Sequence, residues 1–355
     1  MSQGSTRGDA LAEEECDAVT ILGSIASARP ASSRVTQRAL LIILEQSLLH
    51  LIPLRSLSEP VSRIAPSLTA WLATWLAGWL AARSLATQAK IGAVLGRLML
   101  LSGGMRNRLR ENLTQAGYAD KVTLTQAATG IGQMAIETAG LWRTPDDVLL
   151  GRVKIVEGWD AVLATRDAGR GVILLTPHLG TFEIASLFIG AQMPLPAMFR
   201  PPRVAWAEPM MRAGRDRMQI RSEPAEMSGI RAMLKALRRG ETVGMLPDQV
   251  PDAGKGGDGA WANFFGRPAY TMTLAQKFAK TTGALAVMVA CVRLPAGGGY
   301  RIVFTPLQPF SEDTEVSARE LNSAVEQAIG LAADQYLWSY NRYKVPAGIP
   351  APSSP

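Results

Sequence analysis

Histidine and cysteine are scarce in this chain of 355 residues, which contains two of each. Cys16 and Cys291 are too few for a disulfide framework, and neither has the neighbours of a zinc site. We therefore expect a reducing compartment and no bound metal. The N-terminus also lacks the positive start and apolar core of a secretory signal, so nothing in the sequence indicates export.

The usual signatures of covalent catalysis are absent as well. The sequence has no Gly-x-Ser-x-Gly elbow, no plausible Cys–His signature and no His-Glu-x-x-His zinc helix. An enzyme without these groups needs a base, and histidine is the side chain best suited to take a proton near neutral pH. His50 lies in an apolar helical stretch, whereas His178 interrupts an apolar run in the segment 174–183, Leu-Leu-Thr-Pro-His-Leu-Gly-Thr-Phe-Glu.

Charged residues make up only 19% of the chain and hydrophobic residues 47%, which is typical of a globular protein towards the apolar side. The first 30 residues carry a net charge of −3 within a total of +7, so the remainder carries +10. This excess fits an acidic partner: an anionic membrane surface, a phosphorylated substrate, an acidic carrier protein or nucleic acid. Nucleic acid is not expected, because neither zinc-ligand spacing nor an aromatic-studded basic strand accompanies the charge.

Composition divides the chain into four regions. Residues 1–33 are polar and acidic, which predicts a flexible leader. Residues 34–100 are apolar and predict a helical, membrane-associated region. Residues 101–344 form the main domain, and residues 345–355 are a proline-rich tail that we expect to be loose.

A stretch without charged residues, 64–82, includes Trp71, Trp75 and Trp79 at intervals of four. As a helix it would be about 28 Å long, close to the roughly 30 Å of a bilayer core. One interpretation is a helix packed on the protein's own core. The other, which we favour, is a helix that spans the membrane or lies on its surface with the tryptophans at the interface.

Beyond residue 150 the pattern alternates between strands and helices. The predicted strands are 171–177, 196–200, 241–247, and the pair 284–294 and 300–307, which form a hairpin. The predicted helices are 181–192, 206–218, 228–239, 271–281 and 315–338. This alternation favours an α/β fold, with a mostly parallel sheet flanked by helices.

Polar residues follow three of the predicted strands: His178, Arg200 and Asp248. Ligands of open parallel sheets bind beyond the carboxyl ends of the strands. We therefore expect a base, a cation and a carboxylate to meet at one edge of the sheet.

Glu183 follows His178 by five residues. On a continuous helix this spacing rotates the two side chains about 140° apart, so they can meet only if His178 lies in a strand-to-helix loop. Gly180 would permit that loop and Thr181 would cap the helix. A carboxylate bonded to the imidazole would fix its tautomer and leave the other nitrogen to take a proton. A structural histidine with an exposed glutamate is the alternative, which the spacing alone favours.

Arginines are concentrated after the second predicted strand, at Arg200, Arg203, Arg212, Arg215, Arg217 and Arg221. They can form a solvated basic face or an anion-binding edge for phosphates. We select Arg200, Arg203 and Arg212, together with Gln249, as candidate substrate-binding residues.

In their order along the chain, several motifs between about residues 90 and 344 resemble those of the bacterial late acyltransferases of lipid A biosynthesis, in the lysophospholipid-acyltransferase superfamily. The motifs are Arg110-Glu-Asn-Leu113, Val156-Glu-Gly158, Gly171-Val-Ile-Leu-Leu-Thr-Pro-His-Leu-Gly-Thr-Phe-Glu183, Leu246-Pro-Asp-Gln249, Phe264-Phe-Gly266, and Gln335-Tyr-Leu-Trp338 with Arg342 and Lys344. A histidine, four residues and an acid (HX4E) form a short and common pattern. Its combination with the other motifs in this order makes the resemblance specific.

The resemblance implies a glycerol-3-phosphate-acyltransferase-like fold at the cytoplasmic face of the bacterial inner membrane. It implies transfer of a fatty acyl chain from an acyl carrier protein thioester, without a cofactor, to a hydroxyl of an anionic, phosphorylated lipid A precursor. By motif, His178 is the general base and Glu183 its partner, while Arg215 and Asp248 match positions implicated in the site. The missing protein nucleophile agrees with this, because direct attack of a hydroxyl on a thioester requires only a base.

The sequence departs from the family pattern at two places. Thr181 and Phe182 stand where asparagine and tryptophan are frequent, and Tyr340-Asn341 stand where histidine and arginine are usual. The acceptor and the acyl chain therefore stay open. One alternative is the same transfer to another glycolipid or to a lysophospholipid, and another is a catalytically silent, membrane-associated binding protein.

Overall fold

The structure is a computed structural model that describes residues 66–202, 204–252 and 257–352. The predictions for the leader, for the apolar stretch before residue 66 and for Arg203 lie outside these residues.

Helices and strands are numbered here from the first described element. The helices are α1 (Pro66–Ala81), α2 (Leu85–Met99), α3 (Gly103–Gln115), α4 (Leu124–Leu141), α5 (Asp146–Leu150), α6 (Trp159–Asp167), α7 (Glu183–Gly190), α8 (Glu208–Arg215), α9 (Met227–Arg238), α10 (Leu274–Thr282) and α11 (Thr314–Gly330). The strands are β1 (Val153–Glu157), β2 (Val172–Leu175), β3 (Leu195–Phe199), β4 (Ile220–Pro224), β5 (Thr242–Met245), β6 (Gly259–Phe264), β7 (Arg267–Met272), β8 (Leu285–Arg293) and β9 (Tyr300–Pro306).

Seven strands form one sheet in the order β1-β9-β8-β2-β5-β3-β4. Every neighbouring pair is parallel except β8 and β9, which form the predicted hairpin. Strands β6 and β7 make a separate antiparallel pair. The α/β architecture with a mostly parallel sheet is confirmed, while β1, β4 and the β6–β7 pair were not predicted.

Strand β2 lies inside the sheet and shows how the core is arranged. All four of its residues are buried, as a strand covered on both faces requires. Ile173 and Leu175 pack in one hydrophobic cluster, and Val172 and Leu174 pack in the other. Because successive side chains of a strand point to opposite faces, the two clusters are the two layers on either side of the sheet.

Helix α1 has two different faces. Ala73, Ala77 and Leu80 are buried, and the helix packs against α4. Trp71 and Trp75 are 61% and 57% exposed. The less favoured interpretation, a helix packed on the protein's own core, therefore holds for one face. The face with these two tryptophans is exposed, and its placement at a membrane stays a prediction. Among the described residues, no helix combines the length and the apolar character that crossing a bilayer requires.

The described part of the proline-rich tail extends to residue 352. The indole nitrogen of Trp261 on β6 donates a hydrogen bond to the carbonyl oxygen of Pro350 at 3.1 Å. This part of the tail therefore contacts the β6–β7 hairpin.

Helices α2 and α4 approach each other through glycine. A Cβ atom added to Gly96 would lie 2.0 Å from the carbonyl oxygen of Ala128, and one added to Gly92 would lie 2.5 Å from the Cα of Gln133. Both neighbouring atoms belong to the backbone of α4, so a side chain can be accommodated only if a helix moves.

We expect Gly96→Ala to lower the free energy of unfolding by about 2–3 kcal/mol, because overpacking at a backbone contact forces the helices apart. Gly104→Ala in α3 is the matched control, since its Cβ would have no neighbour nearer than 3.9 Å. Denaturant unfolding of both variants measures the difference. Equal stability of the two would show that α2 and α4 can separate without cost.

Candidate active site

His178 lies in the segment between β2 and α7, beyond the carboxyl end of β2. Gly180 has φ +61°, and a Cβ atom there would lie 1.8 Å from the carbonyl oxygen of Cys291, so the position requires glycine. The amide of Gly180 donates to the carbonyl of Gln335 at 3.1 Å, and the amide of Leu337 donates to the carbonyl of His178 at 3.1 Å. The Gln335–Trp338 motif therefore holds this segment in place.

His178 is bonded to Asp248, which follows β5 as His178 follows the adjacent strand β2. The ring Nδ1 lies 2.8 Å from Oδ1 of Asp248, and the backbone amide of His178 donates to Oδ2 at 2.9 Å. The prediction that Glu183 is the hydrogen-bonded partner of the imidazole is thus wrong. The partner is 70 residues away in sequence, because parallel strands bring their carboxyl ends to the same edge.

The charge state of Asp248 fixes the tautomer of the ring. Burial alone would raise the pKa of Asp248, but the nearby imidazole and the hydrogen bonds from His178 hold it below its ordinary value. Burial raises the pKa of Tyr336 well above its ordinary value, so the hydroxyl that is hydrogen-bonded to Asp248 stays protonated and donates. Since Asp248 is anionic, Nδ1 of His178 donates to it and Nε2 carries the lone pair.

Gln249 lies on the other side of the imidazole. Its side-chain Nε2 is 3.2 Å from Nε2 of His178. With the lone pair on the ring nitrogen, the amide is the donor of this hydrogen bond. Gln249, predicted to bind substrate, therefore contacts the ring nitrogen that faces away from Asp248.

Glu183 is the first residue of α7, as predicted, but its carboxylate binds Arg215 at the end of α8. The Nε of Arg215 lies 2.9 and 3.1 Å from the two carboxylate oxygens, and one terminal nitrogen also donates to Oε1. Helix α7 has no side-chain cap, because the hydroxyl of Thr181 donates to the carboxylate of Glu137. Glu183 thus anchors an arginine at the same edge as His178.

The arginines of the predicted cluster lie in different surroundings. Arg200 follows β3 directly and is exposed, and its charge acts on the buried Tyr340, whose hydroxyl accepts from the amide of Val250. Arg212 and Arg215 lie over the ring of Phe199, at 4.5 and 5.7 Å. Arg212 is also paired with Glu208 at 2.8 Å, so part of its charge is compensated.

The buried carboxylate of Glu137 also binds the segment between β2 and α7, and the sequence did not predict this contact. Glu137 on α4 is 3% exposed and accepts hydrogen bonds from the hydroxyls of Thr181 at 2.5 Å and Tyr300 at 3.2 Å. Burial raises the pKa of Glu137, against the opposing effects of Arg293 and of the two hydroxyls. The only sequence signal is a lone acidic residue within an apolar helix.

An apolar cleft opens beside the edge that carries His178, between α7 and the strands β2, β3 and β5. Its polar lip includes Glu183 and Arg215, and its inner wall is aliphatic, with Leu174, Leu187, Ile189, Leu195 and Ile220. The cavity within it has a volume of about 50 Å³, so the cleft is narrow. Phe182 lines the cleft and also contacts the ring of His178, with 4.8 Å between the ring centroids.

Together these groups provide an imidazole, oriented by a buried carboxylate, at the mouth of a narrow apolar cleft with arginines nearby. Such a site can remove a proton from a hydroxyl while an aliphatic chain lies in the cleft. The predicted meeting of His178, Arg200 and Asp248 at the carboxyl ends of neighbouring strands is confirmed.

Comparisons with known proteins agree with this chemistry. The sequence matches the family described as bacterial lipid A biosynthesis acyltransferase over residues 59–345. A lipid A biosynthesis lauroyltransferase of Escherichia coli (strain K12) is 28% identical over 227 residues, which are 62% of this chain and 72% of that protein. A palmitoleoyltransferase of the same pathway and strain is 30% identical over 221 residues, 60% of this chain and 69% of that protein.

The raised pKa of Glu137 predicts how stability changes with pH. A carboxyl group whose pKa is higher in the folded state makes the protein less stable as pH rises through and above its ordinary value of 4.5. Glu137→Gln removes this titration, so the stability of the wild type relative to the variant should fall as pH rises through that range. Denaturant unfolding at several pH values measures the slope.

The matched control is Glu157→Gln. The hydrogen bonds from Arg301 lower the pKa of the exposed Glu157, so the stability of the wild type relative to this variant should rise with pH. A slope of the same sign in both pairs would contradict the assignment of Glu137.

Proposed function

The chain belongs to the bacterial lipid A biosynthesis acyltransferase family, and we propose that it transfers a fatty acyl chain from acyl carrier protein to a hydroxyl of a lipid A precursor with His178 as general base. The observation that carries the proposal is the pairing of Nδ1 of His178 with Asp248, which leaves Nε2 as the nitrogen that can take a proton. The transfer uses the carrier-bound thioester as its donor and no further cofactor.

The proposed reaction proceeds by direct attack. Nε2 of His178 takes the proton of the acceptor hydroxyl while its oxygen bonds to the thioester carbonyl carbon. The tetrahedral species then loses the C–S bond, and the imidazolium returns the proton to the departing thiolate. Asp248 stabilises the transient positive charge of the ring, as buried carboxylates do for catalytic histidines.

We propose that the apolar cleft holds the acyl chain. The cleft begins at Phe182, which touches the ring of His178, so a chain inside it would leave its carbonyl carbon near the base. An aliphatic wall stabilises an alkyl chain by about 0.8 kcal/mol per buried CH₂. Because the cleft is narrow, the chain must displace side chains as it enters. Arg215, held by Glu183, would then lie beside the thioester.

The positive charge around the site supports the two proposed partners, a phosphorylated lipid and acyl carrier protein. Arg200 is exposed beside the site, and Arg212 and Arg215 lie next to it around Phe199. A guanidinium binds phosphate by paired hydrogen bonds, which suits the phosphates of the acceptor. The net charge of +10 outside the first 30 residues suits an acidic carrier protein.

Membrane attachment is proposed from the exposed face of α1. Trp71, Trp75 and Leu68 are more than half exposed and lie on one helix. Tryptophan is favoured at the boundary between water and lipid, and an exposed apolar patch of this kind marks an interaction surface. We place this face at the cytoplasmic surface of the inner membrane, where the lipid acceptor would be reached.

The central prediction concerns the base and its partner. His178→Ala should abolish transfer from labelled acyl carrier protein to a lipid A precursor, and Asp248→Asn should lower the rate on the order of 10²–10⁴-fold because the ring loses its fixed tautomer. In cells, lipid A from a strain with only the His178→Ala gene should lack the same acyl chain as lipid A from a deletion strain. Mass spectrometry compares the two.

Two results would contradict this proposal. Full activity of His178→Ala would remove the mechanism. A lipid A acylation pattern that does not change on deletion would remove lipid A as the acceptor and would favour another glycolipid or a lysophospholipid.

The cleft predicts how chain length can be altered. Gly244 on β5 lines it, and a Cβ atom there would lie 3.5 Å from Leu195 and 3.7 Å from Ala197, which is ordinary contact. Gly244→Leu should fill the cleft and shift the preferred donor to shorter acyl chains, whereas Gly244→Ala should change the preference little. Competition between donors of different length measures this. A preference unchanged in Gly244→Leu would exclude the cleft as the acyl site.

A further inference from the structure

The side chain of Gln249 occupies the position at the base that a substrate hydroxyl must take. Nε2 of His178 has one lone pair in its plane, and the amide of Gln249 donates to it at 3.2 Å. An acceptor hydroxyl must make the same hydrogen bond before it can lose its proton. The amide and the hydroxyl therefore exclude each other.

We propose that Gln249 covers the base in the resting enzyme and is displaced by the acceptor hydroxyl, so that water is activated poorly. This inference rests on the proposed function, and it adds a means by which the same site prefers transfer over hydrolysis of the thioester.

The preference follows from binding energy. A lipid acceptor has phosphates and acyl chains that bind far from its reacting hydroxyl, and this energy can be used to displace the amide. Water has no such remote groups and must compete with Gln249 directly. Both reactions have the same chemistry, since the attacking oxygen gives its proton to Nε2 and the C–S bond breaks with return of that proton to the thiolate. They differ only in whether the attacking molecule, lipid acceptor or water, can displace the amide of Gln249.

The groups around the ring of His178 explain why Gln249 covers Nε2 and not Nδ1. Nδ1 is bonded to Asp248, and Tyr336 and Arg342 act on that carboxylate and not on Nε2. Phe182 packs against the ring and offers no polar group. His178 is 9% exposed, so little other access to the ring remains. Among the described residues, Gln249 is the polar side chain that meets Nε2.

The first test uses Gln249→Met, which keeps the bulk of the side chain and removes the donor. We expect hydrolysis of acyl carrier protein thioester in the absence of acceptor to rise on the order of five- to tenfold relative to transfer at saturating lipid A precursor, the equivalent of one lost hydrogen bond. An unchanged ratio would overturn the proposal. A parallel fall of both rates would also overturn it, because the amide would then act in the transition state.

The second test does not depend on activity. The chain has two histidines, so ring ¹⁵N NMR of the full-length protein, with His50→Gln for assignment, observes His178 alone. Gln249→Glu places a negative charge at Nε2 in place of the amide, so the ring should titrate about one pH unit higher than in the wild type. Gln192→Glu is the matched control, since it makes the same change at an exposed position after α7.

The outcomes separate this inference from the proposed function. Equal titration in Gln249→Glu and Gln192→Glu would show that Gln249 does not contact the ring, and the inference would fail whatever the activity. A wild type that transfers no acyl chain, together with a shifted titration in Gln249→Glu alone, would reject the function and retain the contact at Nε2.

Discussion

Two hydrogen bonds from His178 to the buried carboxylate of Asp248 determine the geometry of the catalytic edge. One fixes the ring and the other fixes the backbone of the same residue, so neither can rotate alone. The arrangement requires the carboxylate to be ionised, and burial opposes ionisation. The imidazole and the amide of His178, with the backbone amide of Asp248 itself, together outweigh the burial. The hydroxyl of Tyr336 also binds this carboxylate, so the order of His178 depends on contacts from three parts of the chain, around residues 178, 248 and 336.

The segment 178–183 is held between two buried carboxylates. Asp248 binds its beginning, and Glu137 binds the hydroxyl of Thr181 near its end. Hydrogen bonds are strong where water is excluded, and an unpaired group there is costly, so each carboxylate favours one position of the segment. The Gln335–Trp338 motif adds backbone bonds from a third side, and Asn112 on α3 in turn donates to the carbonyls of Trp338 and Tyr340. Several family motifs therefore support the site without lining it.

The sequence predicted the features that depend on periodicity. Buried strands such as β2 are apolar throughout, and polar residues that follow parallel strands meet at one edge, as His178 and Asp248 do. Edge strands were missed, because β1 is mostly exposed and has no apolar run. The partner of the base was assigned wrongly, because Glu183 is close in sequence, whereas contact depends on which strands are neighbours in the sheet. That order becomes visible only in three dimensions.

The two residues of the first departure from the family pattern, Thr181 and Phe182, have different consequences because they face different surroundings. Thr181 points back into the protein, where its hydroxyl binds Glu137 beside Tyr300, so a change there acts on the support of the segment. Phe182 packs on the ring of His178 and lines the apolar cleft, so a change there alters the space beside the base. A smaller ring than tryptophan leaves more room at the mouth of the cleft. Differences in substrate between this protein and its relatives are therefore expected to depend on Phe182 more than on Thr181.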